Sequence, residues 1–132
     1  MNPNFYSVLD SRRDGIYRFE TVESGGRLGV RCVVYLHKSY FFEDILNKYE
    51  NTKYAISFKH CLYNRFSAQE TFKFENIVWC WPYDEFDFDV GVQMSKERID
   101  KKIQSKKKRI QKYIKHLELH NVKHKKKNMI NS

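Results

Sequence analysis

The chain has 132 residues, 41% of them hydrophobic, with 25 Lys and Arg against 16 Asp and Glu, which points to one compact domain with an appendage. No apolar run approaches the ~18 residues of a transmembrane helix, and the opening MNPNFYSVLDSRRDG lacks the charged start and apolar stretch of a secretory signal. The charge is split: residues 95–132 carry 14 basic and 3 acidic residues, the first 94 carry the other 11 basic and 13 acidic ones, and the whole net charge of +9 sits on the C-terminal segment.

In chain order, Phe5 to Leu9 reads as a short strand, followed by a turn whose Asp14-Gly15 step favours positive φ. Ile16 to Val22 alternates, Glu23-Ser24-Gly25-Gly26 is the clearest turn signal, and Leu28, Val30, Cys32, Val34 and Leu36 recur at period two. Residues 16–36 are therefore expected to form a β-hairpin. Ser39 is placed to cap a short helix at about 40–49, with Phe42, Ile45, Leu46 and Tyr49 on one face. Tyr54, Ile56 and Phe58 alternate with Ala55, Ser57 and Lys59 and predict another strand, which extends to Leu62. Residues 65–70 carry no clear pattern. Phe72 and Phe74, then Ile77 to Trp81, predict two further strands joined at Glu75-Asn76 by a tight connection or a bulge. Pro82 ends the last of them, because it cannot donate to a ladder.

From about Asp87 the pattern becomes helical. Ile99, Ile103, Ile110, Tyr113 and Leu117 fit a and d positions of a heptad, interrupted by Lys96 and Lys106. The helix is expected to end near Asn121 and to project beyond a small body, because thirty residues span about 45 Å. The expected class is α+β: a small antiparallel sheet of four to six strands, covered by the helix at about 40–49, with a long basic C-terminal helix. Residues 1–94 form the body, 95–121 the long helix continuing from it, and 122–132, with Lys123 and Lys125 to Lys127, a disordered basic tail.

Val78-Trp79-Cys80-Trp81-Pro82-Tyr83-Asp84-Glu85-Phe86, then Gly91, Ser95 and Arg98, resembles a signature of small tailed-phage proteins: a strand ending in Cys, a Pro-x-Asp-x-Phe turn, and a helix carrying a Gly, a small residue and an Arg. Ser95 stands where Ala is more usual. The resemblance covers about 20 residues, implies a phage or prophage origin and hence a host cytoplasm, and carries no activity. Its physical content is a strand-to-helix elbow in which Asp84 caps, Phe86 packs under the turn and Gly91 allows close helix–sheet approach.

Little in the sequence points to catalysis. Asp84, Glu85, Asp87 and Asp89 form an acidic cluster suited to helix capping, to a basic partner or to a hard cation, without the Gly and terminal Glu of a calcium loop. His116, His120 and His124 share a helical face but lack an HExxH arrangement, and surrounding lysines repel a cation. Cys32, Cys61 and Cys80 are isolated, so neither a disulfide framework nor a zinc site is expected, and free thiols fit a reducing cytoplasm. Cys61 beside His60 fails as a nucleophilic pair on a strand, where neighbours face opposite ways. No Gly-rich phosphate loop, metal site or cofactor motif is present.

The basic segment is the strongest functional signal. Lys101, Lys102, Lys106, Lys107, Lys108, Arg109, Lys112 and Lys115 are almost unopposed, with Asp100 and Glu118 the nearby acids. A helix with this much like charge favours a counter-charge. The expected function is non-enzymatic binding of nucleic acid, or of a host protein–nucleic-acid complex, for which an anti-CRISPR-like inhibitor is one concrete form. The alternative is a structural homodimer or scaffold held by the Ile99–Leu117 stripe. Tyr17, Phe19, Tyr35, Phe58, Phe72 and Phe74 are candidates either for stacking bases on an open sheet face or for the core.

Overall fold

The computed structural model describes residues 5–66 and 70–130, with side chains described as far as His120. The order is β1 (Phe5–Asp10), β2 (Gly15–Ser24), β3 (Arg27–His37), α1 (Ser39–Lys48), α2 (Ala55–Phe66), β4 (Thr71–Trp79) and α3 (Phe88–Ile130). The four strands form one antiparallel sheet in the order β1-β2-β3-β4, so the fold is α+β. The chain divides into two compact units: Met1–Tyr40 with Gln69–Gln104, and Phe41–Ala68 with Ser105–Ser132.

The sheet unit begins with two hairpins. The first turns through Asp14 at φ 51°, the second through Gly25 and Gly26 at φ 56° and 78°, left-handed conformations in which glycine carries no Cβ penalty. Glu20 pairs with Arg31 and Phe19 with Cys32, which fixes the faces. Tyr17, Phe19, Val30, Cys32, Val34 and Leu36 are buried, whereas Ile16, Arg18 and Tyr35 point outward. The ladder from β3 to β4 runs without interruption from His37–Thr71 to Gly29–Trp79. Residues 72–79 are thus one strand, not two: Glu75 faces Val33 and Asn76 faces Cys32 in regular register. Two polar residues inside a strand suggested a break, but tertiary pairing overrides that propensity. The Lys38 N–H donates to the Glu70 carbonyl at 2.8 Å, continuing the ladder by one rung.

The helix lying on this sheet is the first part of α3. Ile99 and Ile103 are fully buried, and so is Ser95, whose hydroxyl donates to the Val92 carbonyl. A Cβ at Gly91 would run into the side chain of Val30, so glycine is needed there for close approach. The helix expected at about 40–49 is α1, most of which belongs to the second unit. Gly91→Ala is expected to cost about 1–3 kcal/mol through overpacking and to lower the melting temperature. An unchanged melt would mean that α3 can ride off Val30 freely.

The second unit is helical. Its buried side chains are Phe41, Phe42, Phe58, Leu62, Ile110 and Ile114, from α1, α2 and the later part of α3. Aromatic edges join them: Phe42 meets Tyr63 at 5.8 Å, Tyr49 meets Phe58 at 4.7 Å and Phe66 meets Tyr113 at 5.5 Å, all near perpendicular. Two expectations change here. Residues 55–62 are not a strand but part of α2, because the buried pair Phe58 and Leu62 is spaced i, i+4 and Ile56 is 76% exposed, and Tyr54 lies in the turn before it. The later part of α3 does not project bare, since Ile110 and Ile114 are buried within its own unit. The α3 backbone also continues to Ile130, past the expected end at Asn121 and into the segment expected to be disordered. No Gly or Pro follows Gly91, so the strongest helix breakers are absent there.

Candidate nucleic-acid interface

At 100° per residue, Lys108, Lys112 and Lys115 fall on one face of α3, with Arg109 and His116 beside them, opposite Ile110 and Ile114. Burial of the isoleucines therefore turns the cations outward. Lys108, Arg109, Lys112 and Lys115 are exposed, whereas Lys106 and Lys107 are half-buried on the flanks. Lys101 and Lys102 belong to the sheet unit, and the Lys102 ammonium donates to the Glu75 carbonyl at 2.7 Å. The eight expected residues thus divide into two on the sheet unit and six on the helical unit. Burial, with Arg109 adding to it, lowers the Lys106 pKa below its ordinary value.

Within residues 105–120 the one acid is Glu118, and it sits 3.5 Å from Lys48 of α1. The row therefore keeps almost all of its positive charge. Below it, α2 and α3 form an open cleft of about 660 Å³, lined by Arg65, Phe66, Lys106, Arg109, Lys112, Tyr113 and His116, without a carboxylate. Burial raises the Tyr113 pKa, and a hydrogen bond with Cys61 adds to it. Arg65 and Phe66 escaped the sequence reading because residues 65–70 showed no pattern. The signal available was the continuation of Phe58 and Leu62 to Phe66, a further i+4 step.

The acidic cluster is exposed throughout. Asp87, rather than Asp84, caps α3: its Oδ1 accepts the N–H groups of Asp89 at 3.0 Å and Val90 at 3.3 Å. Asp84, Glu85 and Asp87 border a shallow groove of about 250 Å³ with Trp81, Val90 and Met94. Of the aromatics considered for stacking, Tyr17, Phe19, Phe58, Phe72 and Phe74 are buried, and Tyr35 is exposed. On the outward sheet face beside Tyr35, Arg31 pairs with Glu20 at 2.9 Å and with Glu75, which also meets Lys73 at 3.4 Å. Arg18 adds one further cation to that face.

Asp100, the other acid close to the basic residues, is committed to the sheet unit. Its Oδ1 accepts from Arg13 at 2.7 Å and from the Tyr17 hydroxyl at 2.9 Å, and its Oδ2 accepts from Lys96 at 2.9 Å. Burial alone would raise the Asp100 pKa, but the hydrogen bonds from Lys96, Tyr17 and Arg13 together hold it below the ordinary value. Burial raises the Tyr17 pKa, reinforced by Asp100. A depressed carboxyl pKa stabilises the fold above its unfolded value, about 3.9, and that contribution disappears as pH falls through the lower folded value. The melting-temperature gap between the native chain and Asp100→Asn is therefore expected to be full at neutral pH and to close in strong acid. A gap independent of pH would show that the carboxylate charge is immaterial.

The Cys32 thiol is buried, and burial with the nearby Asp100 charge pushes its pKa up to about 12, which disfavours the nucleophilic thiolate. His116 and His120 stack at 6.5 Å, while His124 lies outside the described side chains. Among the described residues, no group of three or more His, Cys, Asp or Glu is placed to hold a metal ion. No helix among them is long and apolar enough to cross a membrane. Ile99, Ile103 and Ile110 of the stripe considered for a homodimer are buried within the chain. No family model, curated protein or solved structure matches the chain.

Proposed function

We propose that the protein is a non-enzymatic binding protein that engages nucleic acid through the basic face of α3. The observation that carries this reading is the exposed row Lys108, Arg109, Lys112 and Lys115, in a stretch whose one acid, Glu118, is already paired with Lys48. Phosphate contacts need clustered cations more than a fixed geometry, and a helix presents them at regular spacing. Core packing holds the row in place, because the opposite face contains buried Ile110 and Ile114.

The elbow at residues 78–98, with Gly91 against Val30, supports a phage or prophage origin through its resemblance to small tailed-phage proteins. On that origin the target is a host protein–nucleic-acid complex as readily as free nucleic acid, in the manner of an anti-CRISPR-like inhibitor acting in the host cytoplasm. Anisotropy of the full-length chain with short labelled DNA and RNA at low salt separates the two forms. Binding supports direct engagement. Absence of binding removes direct engagement and leaves the host-complex form, which then requires a specific complex that survives nuclease treatment.

A further inference from the structure

We propose that the cleft between α2 and α3 is a binding site for single-stranded nucleic acid, with Arg65, Lys106, Arg109 and Lys112 holding the phosphates and Phe66 with Tyr113 supplying the wall for an unstacked base. This inference rests on the nucleic-acid reading above and narrows it from a polyanion to a strand with accessible bases.

The cleft, with a volume of about 660 Å³, is large enough for a nucleotide and open enough for a chain to pass through. Its cations come from two helices, so it is a concave site rather than one side of a rod. Arg65 ends α2, and Lys106, Arg109 and Lys112 recur at i, i+3 and i+6 on α3, following a helical edge. Four cations and no carboxylate are among the residues that line it, so the lining carries net positive charge. Burial, and after it the neighbouring Arg109, lowers the Lys106 pKa. The apolar component distinguishes the site from a duplex-binding patch. Phe66 and Tyr113 meet edge to face at 5.5 Å and 81°, and both are half-buried, so the two rings are held rather than free. In duplex nucleic acid the base faces are already stacked, and a ring has nothing to take. In a single strand they are available, and stacking on an aromatic side chain contributes without reading sequence.

The test is fluorescence anisotropy of the full-length chain with a labelled oligothymidylate and with a labelled duplex of equal length, at one salt concentration. Phe66→Leu keeps an apolar side chain against Tyr113 but removes the ring. It is expected to weaken single-strand binding about 5-fold or more and to leave duplex binding unchanged. Arg65→Ala, at an exposed residue of α2, is expected to weaken single-strand binding about as much as Arg109→Ala does. It serves as the second probe if Phe66→Leu fails to fold. Single-strand binding that is indifferent to Phe66→Leu in a folded protein, or to Arg65→Ala, overturns the cleft while leaving the basic-row reading intact. A preference for the duplex does the same. Failure of the native chain to bind either probe at low salt removes the cleft and direct engagement together.

Discussion

The triple replacement of Lys108, Lys112 and Lys115 by glutamate is expected to abolish binding to nucleic acid while leaving the protein folded. All three side chains are exposed and share the face of α3 turned away from Ile110 and Ile114. Each lysine that neutralises a phosphate displaces condensed counterions, so losing three should remove about 2.7 from the log–log salt slope on duplex DNA. Reversal goes further than removal, because three carboxylates then repel the backbone. The expected result is a loss of at least about 100-fold in affinity at moderate salt, where a few phosphate contacts account for most non-specific binding. Exposed substitutions away from packing features typically change stability by about 0.5 kcal/mol or less, so the melting temperature should barely move. Retained affinity in a folded triple variant would place the binding surface elsewhere.

The second large effect concerns the core beneath that row. Ile103→Asp is expected to unfold the sheet unit, and Ile110→Asp the helical unit. Ile103 is fully buried and Ile110 is 1% exposed, so each substitution places an unpaired carboxylate where no partner is available to it. The cost combines a lost apolar side chain, about 2–5 kcal/mol, with the desolvation of a charge. Against a total stability of about 5–15 kcal/mol, that sum removes most or all of the folded population. A homodimer seam predicts something different: a clean change from dimer to folded monomer. Circular dichroism and light scattering on the same samples separate the two. A folded monomer carrying Ile103→Asp would contradict the assignment of these residues to the intramolecular core.

An element is legible in the sequence where its local pattern and its tertiary burial agree. The β2–β3 hairpin was legible because Gly25-Gly26 marks a turn and the alternation through Leu36 matches the buried face. The basic helix was legible for the same reason, since Ile99, Ile103 and Ile110 repeat at helical spacing and all three are buried. The segment at 54–62 misled because Tyr54, Ile56 and Phe58 happen to alternate. Only burial reveals that Ile56 is an outward residue of α2 and that Phe58 belongs with Leu62. Glu75 and Asn76 misled in the opposite direction: Glu75 lies on the outward face, paired with Arg31, so a polar residue there is compatible with an unbroken strand. At the elbow the motif points to Asp84 as the cap, and the choice of Asp87 follows from where α3 begins.

The candidate site shows the same division. The lysines could be read from composition, because charge density needs no partner to be visible. Their outward orientation needed the buried face of α3, and the cleft needed α2. Arg65 and Phe66 acquire meaning only when α2 is a helix that brings them beside Lys106 and Tyr113. The sequence equally left open a role for Asp100 as a counter-charge to the row, and the structure commits that carboxylate to Arg13, Tyr17 and Lys96 instead.

The most direct test of the central claim is the salt dependence of binding by the full-length chain, measured by anisotropy on one labelled single strand across a salt series. Four exposed cations on the row predict a log–log slope of about −3 on a single strand, reduced toward zero by the triple glutamate variant. A slope near zero in the native chain, at whatever affinity, would contradict electrostatic engagement through α3.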